Sequence, residues 1–141
     1  MKRIFLDANV IISVLNREYP LFRMSSRVLS LSENPAYKLC TSATSLAICF
    51  YFATKTSGEN KAREKIKMLC EWIEVAEAGS KEVHAALSNP QVLDFEDGIQ
   101  YYAAKHSGCQ FIITENQNDF YFSEIQVMNC EHFLRQVVLS L

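Results

Sequence analysis

The sequence predicts an α/β protein of three layers, with a central parallel sheet covered by helices on both faces. Short apolar segments alternate along the chain with longer segments of helical spacing, an order typical of parallel crossovers. The short segments are apolar without strict alternation, as strands buried on both faces are. The 141 residues, 49% of them hydrophobic, suit a single domain that spans residues 1–141.

The first half of the chain predicts three strands and three helices. "KRIFLDA" (residues 2–8), "YKLCTS" (37–42) and "IEVAEAG" (73–79) are apolar segments of strand length. Helices are predicted where apolar residues recur at helical spacing, over residues 21–32, 45–56 and 60–73. The third of these helices is amphipathic, and we expect its inward face to carry Ile66, Leu69, Cys70 and Ile73.

The second half predicts two further strands and three helices. A helix over residues 81–87 stops before Asn89-Pro90, and one over residues 94–108 has an acidic first turn and ends at Gly108. "CQFIIT" (109–114) and "EIQVMN" (124–129) predict strands, and residues 130–141 a closing helix. The chain shows no internal repeat, low-complexity tract or linker.

Charge and cysteine usage narrow the class of protein. A net charge of -2 argues against a protein that coats nucleic acid through charge alone, but allows an enzyme with a local basic groove. The five cysteines are scattered without a Cys-x-x-Cys pair, so we expect buried reduced thiols rather than a zinc site or disulfides. No apolar run could span a bilayer, and Asp7 interrupts what would be the apolar region of a signal peptide. We expect a cytoplasmic protein with no membrane association.

Acidic residues recur where predicted strands end. Asp7 follows the first strand, Asp119 follows "FIIT" after a short connection, and the helix "DFEDGIQYY" opens with Asp94, Glu96 and Asp97. Functional groups of parallel sheets lie at the carboxyl ends of the strands, so neighbouring strands would bring these carboxylates together. Their mutual repulsion calls for a cation, and hard oxygen ligands suit Mg²⁺ or Mn²⁺.

Each acid also has a purely structural explanation. Asp94 and Asp97 lie at a helix start, where acids cap free amides and complement the helix dipole. Asp119 beside Asn118 could be turn chemistry. Asp7 is harder to explain in this way, because a strand-end carboxylate in so apolar a setting needs a partner. The combination and its order along the chain favour a metal site.

Three motifs together resemble a known family. "FLDANVII", "DFEDGIQYYAAKHSG" and "FIITENQNDF", in this order, are similar to the signature of the PIN domain, and the likeness covers essentially the whole chain. The resemblance implies a PIN-like fold and a metal-dependent ribonuclease, and many bacterial members are VapC-like toxins of toxin–antitoxin pairs. It implies that Asp7, Asp97 and Asp119 are the catalytic metal ligands for Mg²⁺ or Mn²⁺. Asp94 would be a further catalytic acid.

The resemblance also implies supporting residues and partners. Glu96 would be an auxiliary acid, while Asn9, Thr114 and Asn116 fall where the family carries polar residues that orient the acids or a water. The substrate would be RNA, cut to a 5′-phosphate and a 3′-hydroxyl. An antitoxin protein would cover the acidic cleft, and a homodimer is expected.

One departure from the family pattern bears on activity. Related sequences often carry a glutamate in a Thr-x-Leu-Ala-Glu pattern, whereas "TSLAIC" places Ile48 at the acidic position. Isoleucine cannot bind a metal, and Glu115 is the candidate to offset its loss. An alternative is therefore a weakened or inactive PIN-like module that binds RNA or a protein. A third alternative is a Mg²⁺-dependent phosphatase or phospho-acceptor domain, although the haloacid dehalogenase pattern wants an aspartate where this chain has Asn9.

Two other groups of residues have open interpretations. Lys61, Arg63, Lys65 and Lys67 form either the solvated face of a helix or, with Lys55, an approach path for RNA. Tyr101 and Tyr102 would pack against the sheet, or one of them would stack on a base. The three histidines show no ligand spacing and are expected to be structural or exposed.

Overall fold

The structure, a computed structural model, describes residues 1–139 and contains a parallel five-stranded sheet between two layers of helices. The strands lie in the order β3-β2-β1-β4-β5, and every neighbouring pair is parallel. Their bounds are Lys2–Leu6 for β1, Tyr37–Ser42 for β2, Glu74–Ala76 for β3, Phe111–Ile113 for β4 and Gln126–Met128 for β5. The predicted three-layer α/β/α architecture is confirmed.

Seven α-helices connect or follow these strands within the described residues. They are α1 (Ala8–Leu15), α2 (Phe22–Ser30), α3 (Ala43–Ser57), α4 (Glu59–Trp72), α5 (Ser80–Ser88), α6 (Phe95–His106) and α7 (Cys130–Phe133). A π-helical turn, Leu134–Val138, continues α7. Positions 140 and 141 of the predicted closing helix lie outside the described residues. No helix of the described chain is both long and apolar enough to cross a membrane.

The sheet buries apolar side chains on both faces, which explains the lack of alternation in the sequence. On one face Ile4 and Leu6 pack with residues of α1, α2, α4 and α7. On the other face Phe5 and Ile112 pack with Tyr101 and other residues of α6. All of these side chains are at most 1% exposed. Burying one such side chain contributes roughly 1.5–3 kcal/mol, so both helical layers are firmly attached.

Helix α1 is the main element that the sequence interpretation missed. The strand predicted to continue to residue 8 ends at Leu6, and the Ala8 N–H donates to Oδ1 of Asp7 at 2.8 Å. The Asp7 carbonyl oxygen then accepts from Val10 N–H, which closes the first turn. The chain therefore passes from strand to helix at Asp7 without an intervening loop.

The prediction that Cys70 faces inward, and with it the expectation of five buried thiols, is wrong. Helix α4 buries Ala62 and Leu69, and Ile73 directly after it is also buried, while Cys70 is exposed. Cys70 lies about 100° around the helix from Leu69, which carries it off the narrow apolar stripe. The other four cysteines are buried, as expected, and none forms a disulfide.

The order of the strands determines where a site can form. From β1 the chain moves outward to β2 and β3, then returns to the other side of β1 for β4 and β5. The direction in which strands are added to the sheet therefore reverses between β1 and β4. At such a point, helices on opposite faces of the sheet leave a crevice at the carboxyl ends of the two strands. Asp7 N–H donates to Ile113 O at 3.0 Å, which extends the pairing of these strands to this edge.

Candidate functional site

Asp7 lies at the strand reversal and is held there by a compact set of polar contacts. Its Oδ2 accepts from Thr114 Oγ1 at 2.8 Å and from Asn9 Nδ2 at 3.4 Å. Asn9 Nδ2 also lies 3.1 Å from Thr114 Oγ1, and Asn9 Oδ1 accepts from Glu115 N–H at 3.2 Å. Thr114 is completely buried, so these contacts fix the Asp7 carboxylate on the carboxyl ends of β1 and β4.

Helix α6 and a short 3₁₀ turn bring the other acids. Asp94 caps α6, because its Oδ1 accepts from Asp97 N–H at 3.1 Å, and Glu96 and Asp97 occupy the first turn. The 3₁₀ turn Gln117–Phe120 carries Asp119, whose N–H donates to Asn116 O at 3.0 Å. Both elements start next to the carboxyl end of β1 or β4, as expected for functional segments of a parallel sheet.

These elements line a cavity of about 390 Å³ that we call the acidic pocket. Five carboxylates line it, those of Asp7, Glu18, Glu96, Asp97 and Asp119. The rest of the wall consists of Ala8, Asn9, Ile12, Ile48, Phe52 and Asn116. The pocket therefore combines a polar side at the strand ends with an apolar side on α3.

Burial and the charges of neighbouring acids raise the pKa values of several carboxyl groups in the pocket. Burial raises the pKa of Asp97 to about 7, and the negative charges of Asp94, Asp119, Asp7 and Glu96 contribute to the same rise. Burial also raises the pKa of Asp7, with Asp119 adding to the effect and the Thr114 hydrogen bond opposing it. The pKa of Glu96 is raised by burial and by Asp94 and Asp7. The pocket thus concentrates negative charge that a cation would neutralise.

The donor set suits a hard divalent cation in its chemistry, since the pocket offers carboxylate oxygens and no thiolate or imidazole. Within residues 1–139, no three acidic, His or Cys side chains are already gathered closely enough to hold an ion. Glu96 and Asp119 are exposed and can rotate toward Asp7, whereas Asp7 itself is fixed. The residues therefore fit a divalent cation if the exposed acids rotate toward it, with the fixed Asp7 carboxylate as the first ligand.

The structure separates the predicted site residues into two groups. Asp7, Asp97 and Asp119 line the pocket together with Asn9, Glu96 and Asn116, while buried Thr114 supports Asp7 from behind. Asp94 does not line the pocket; it caps α6 and acts on Asp97 through its charge. Glu115 is also elsewhere, because its Oε2 accepts from Cys130 N–H at 2.9 Å at the start of α7. The idea that Glu115 offsets Ile48 is therefore wrong in this structure.

Glu18 is the pocket residue that the sequence interpretation missed. It lies in the connection between α1 and α2, within "NREYP", and belongs to none of the motifs. Only the three-dimensional path of this connection carries it to the pocket. No local pattern of residues could have identified it.

Two residues of the basic run and Tyr101 make contacts within the fold. Lys65 Nζ donates to Leu15 O at 2.8 Å and to Ser57 Oγ at 2.9 Å, which joins α4 to α1 and α3. Arg63 pairs with Glu59 at 2.8 Å on the exposed side of α4. Tyr101 is 1% exposed and packs in the core, so it cannot stack on a base. Among the histidines, His106 contacts the carboxylate of Glu82, in line with a structural role.

Comparisons with known proteins bear on the family and the fold. The model of the PIN domain family matches residues 3–118. Ribonuclease VapC1 of Aquifex aeolicus (strain VF5) is 27% identical over 136 residues, covering 94% of this chain and 93% of the relative.

Solved structures share the fold at lower identity. A chain of VapBC2 from Rickettsia felis, solved bound to a DNA fragment from the promoter, matches with a TM-score of 0.67 and 13% identity over 90% of this chain and 97% of that one. VapBC-1 of nontypeable Haemophilus influenzae matches with a TM-score of 0.67 and 19% identity over 92% and 98% of the two chains. The sarcin-ricin loop cleaving toxin VapC20 of Mycobacterium tuberculosis matches with a TM-score of 0.61 and 15% identity over 77% and 86%.

The family model spans most of the chain, and it contains the first strand, the acidic helix α6 and the turn up to Asn118. The TM-scores of 0.67 show that the solved relatives share the overall fold. The chain belongs to the PIN domain family.

Proposed function

We propose that this protein is a metal-dependent endoribonuclease that hydrolyses phosphodiester bonds of RNA. The observation that carries the proposal is the convergence of Asp7, Asp97 and Asp119 on one pocket at the strand reversal of a PIN domain. The 27% identity to Ribonuclease VapC1 over nearly the whole chain supports the same activity.

In this proposal each residue has a separate task. Asp7, Asp97 and Asp119 hold Mg²⁺ or Mn²⁺, with Glu96 as an auxiliary acid at the edge of the pocket. Asn9 and Thr114 orient the Asp7 carboxylate through the hydrogen bonds described above, and the Asn116 N–H donates to Thr114 Oγ1 at 3.1 Å. Asp94 acts through the capping of α6, which sets the position of Asp97. A bound cation supplies Lewis acidity and offsets the charge of the phosphodiester.

The charge of the pocket explains why RNA needs the cation. A phosphodiester carries a negative charge and would be repelled by the acidic residues alone. The apolar side, Ile48 and Phe52, adds no charge but offers a surface for a base or ribose. The pocket is open to solvent at the exposed acids, which gives a strand access to Asp7. Products with a 5′-phosphate and a 3′-hydroxyl are proposed on the family resemblance.

The first experiment is cleavage of a mixed-sequence, end-labelled RNA with Mn²⁺, beside Asp7→Asn and a chelator control. We expect cleavage by the wild-type protein, and a loss of at least about 100-fold in Asp7→Asn, because a ligand in the centre of the site is removed. Glu64→Gln, an exposed acid on α4, is the matched control and should cleave normally. Cleavage that persists in Asp7→Asn or in chelator would contradict the proposal. A folded wild-type protein that binds RNA or Mn²⁺ without cleaving would favour the binding-module alternative.

A toxin role in a toxin–antitoxin pair is a further part of the proposal. Two of the similar solved structures are of VapBC proteins, and the relative that matches nearly the whole chain is named Ribonuclease VapC1. A protein encoded next to this chain would then bind it and cover the acidic pocket. Co-expression should yield a stable complex without ribonuclease activity, and activity should return when the partner is removed. Size-exclusion chromatography of the isolated chain tests the expected homodimer.

A further inference from the structure

The acidic pocket has two sides of different composition. The strand ends and α6 supply its central acids, whereas α3 contributes only Ile48 and Phe52, one helical turn apart. Glu18 is the lining acid that belongs to neither group. It reaches the pocket from the connection between α1 and α2, and so adds a carboxylate that comes from a third direction.

The backbone of Glu18 is fixed on both sides. Its N–H donates to Ser13 O at 2.9 Å, and its carbonyl oxygen accepts from Phe22 N–H at 2.7 Å. Two residues earlier, Asn16 Nδ2 donates to Phe52 O at 3.4 Å, which attaches the connection to α3. The Cα of Glu18 therefore keeps its place at the pocket, and only its side chain is free to rotate.

The Glu18 carboxylate has no partner in residues 1–139. Three other glutamates do have partners: Glu74 pairs with Arg3, Glu82 contacts His106, and Glu115 accepts from the Cys130 N–H. Exposed glutamates such as Glu64 have none among the described residues, but Glu64 does not line the pocket. The Glu18 side chain is exposed and forms no hydrogen bond or ion pair with any described residue. Because Glu18 lines the pocket and its carboxylate is not used by the described fold, its oxygens are available to a cation there.

We propose that Glu18 is a further cation-binding acid of this pocket, one that supplies the carboxylate that α3 lacks at Ile48. The inference rests on the proposed function, because it assumes that the pocket holds a divalent cation. Its long flexible side chain would reach the cation from a fixed backbone, while hydrogen bonds from Thr114 and Ala8 hold the Asp7 carboxylate in place. The pocket would close around the ion by rotation of Glu18, Glu96 and Asp119.

Mn²⁺ binding by isothermal titration calorimetry, with no RNA present, tests this role. We expect Glu18→Gln to weaken Mn²⁺ binding by about tenfold, within the range seen when groups around a metal are removed. Glu64→Gln should bind as the wild type does, since that residue is exposed on α4, away from the pocket. Melting of Glu18→Gln without metal should match the wild type, because no contact within residues 1–139 is lost.

An exchange of positions separates a binding role from a structural one. Residue 48 lines the same pocket, so Ile48→Glu in the Glu18→Gln background places a carboxylate toward the same space. We expect this double variant to recover Mn²⁺ affinity. A folded double variant that binds as weakly as Glu18→Gln alone would contradict the proposed exchange.

The outcomes distinguish this inference from the proposed function. If Glu18→Gln binds Mn²⁺ as tightly as the wild type while Asp7→Asn does not bind, the role of Glu18 is refuted and the metal site stands. If the wild-type protein itself binds no Mn²⁺, the proposed metal-dependent activity fails, and the role of Glu18 fails with it.

Discussion

Asp7 serves two purposes with one carboxylate. Its Oδ1 caps α1 through the Ala8 N–H, and its Oδ2 faces Thr114 and Asn9. The same side chain thus ends the first strand, starts the first helix and presents oxygen to the pocket. This explains why a charged residue interrupts an apolar segment so near the start of the chain.

Thr114 is the residue that holds Asp7 from behind, and we expect Thr114→Val to weaken Mn²⁺ binding by about tenfold. Valine fills nearly the same buried space but cannot donate to Asp7 Oδ2, and it leaves the Asn116 N–H without its acceptor. The free energy of unfolding should fall by about 1–3 kcal/mol for the unsatisfied groups. Calorimetric titration with Mn²⁺ and thermal melting measure the two effects.

Thr114→Ser is the matched control, because it keeps the hydroxyl and should retain most of the Mn²⁺ affinity. Equal affinities of the valine variant and the wild type would show that Thr114 does not orient Asp7.

The meeting of three motif acids in one pocket could be predicted, whereas the position of an acid outside the motifs could not. Asp7, Asp97 and Asp119 follow strand-type segments or open a helix, so parallel topology was enough to bring them together. Glu18 follows no such segment. Glu115 lies in a motif, but its side chain does not line the pocket. The direction of a side chain at the end of a strand depends on which neighbour takes it, here the first turn of α7. That information lies in tertiary contacts.

At the level of helices and strands, the alternation of elements was predictable but the junctions were not. Helix α1 was missed because "NVIISVL" is dense in β-branched residues that favour strands, and only the Asp7 cap turns the chain into a helix. Strand β4 is confined to residues 111–113, shorter than the predicted 109–114. Cys109 N–H bonds to Ala104 O, so the end of α6 continues into residues that look like strand.

Helices α5 and α6 approach each other closely at Gly98, and we expect Gly98→Ala to destabilise the protein by about 1–3 kcal/mol. A Cβ at this position would lie 2.6 Å from Cγ1 of Val92, in the connection between the helices, and 3.0 Å from Cβ of Ala86 on α5, so both side chains would have to shift. Since Gly98 follows Asp97, Mn²⁺ binding should weaken as well. Thermal melting and Mn²⁺ titration provide the measurements.

Gly79→Ala is the control glycine, because a Cβ there meets no atom within 4 Å. Val92→Ala in the Gly98→Ala background should recover part of the lost stability. If Gly98→Ala melts at the wild-type temperature, the close packing of α5 and α6 at this point is not a constraint on the fold.

The buried and clustered charges of the acidic pocket lower the stability of the molecule as a whole. We expect Asp97→Asn to raise the free energy of unfolding of the metal-free protein at pH 8 by about 1 kcal/mol, after allowance for solvent screening. That corresponds to a melting temperature about 3 °C higher. The substitution removes a charge that burial and four neighbouring acids disfavour.

The pH dependence provides the check on this explanation. The pKa of Asp97 is about 7 in the folded protein against an ordinary value of 3.8, so the charged carboxylate lowers the free energy of unfolding of the wild type above pH 7. Between these two values the folded state takes up a proton that the unfolded state does not, and wild-type stability rises as the pH falls. The advantage of Asp97→Asn should therefore shrink from pH 8 to pH 5. Melting in the presence of a chelator measures it, with Glu64→Gln as control, and an advantage that stays constant would contradict the charge-based cause.

The strand order also has a consequence for synthesis of the chain. Asp7 leaves the ribosome first, yet its contacts to Thr114 and its neighbour Asp119 come from near the other end. Until β4 has emerged and inserted beside β1, the pocket lacks one wall and Asp7 lacks its buried hydroxyl partner. Under the proposed function, the ribosome that synthesises the chain meets no finished metal site on its own nascent product. The acidic pocket forms only after the residues that follow β4 have been synthesised.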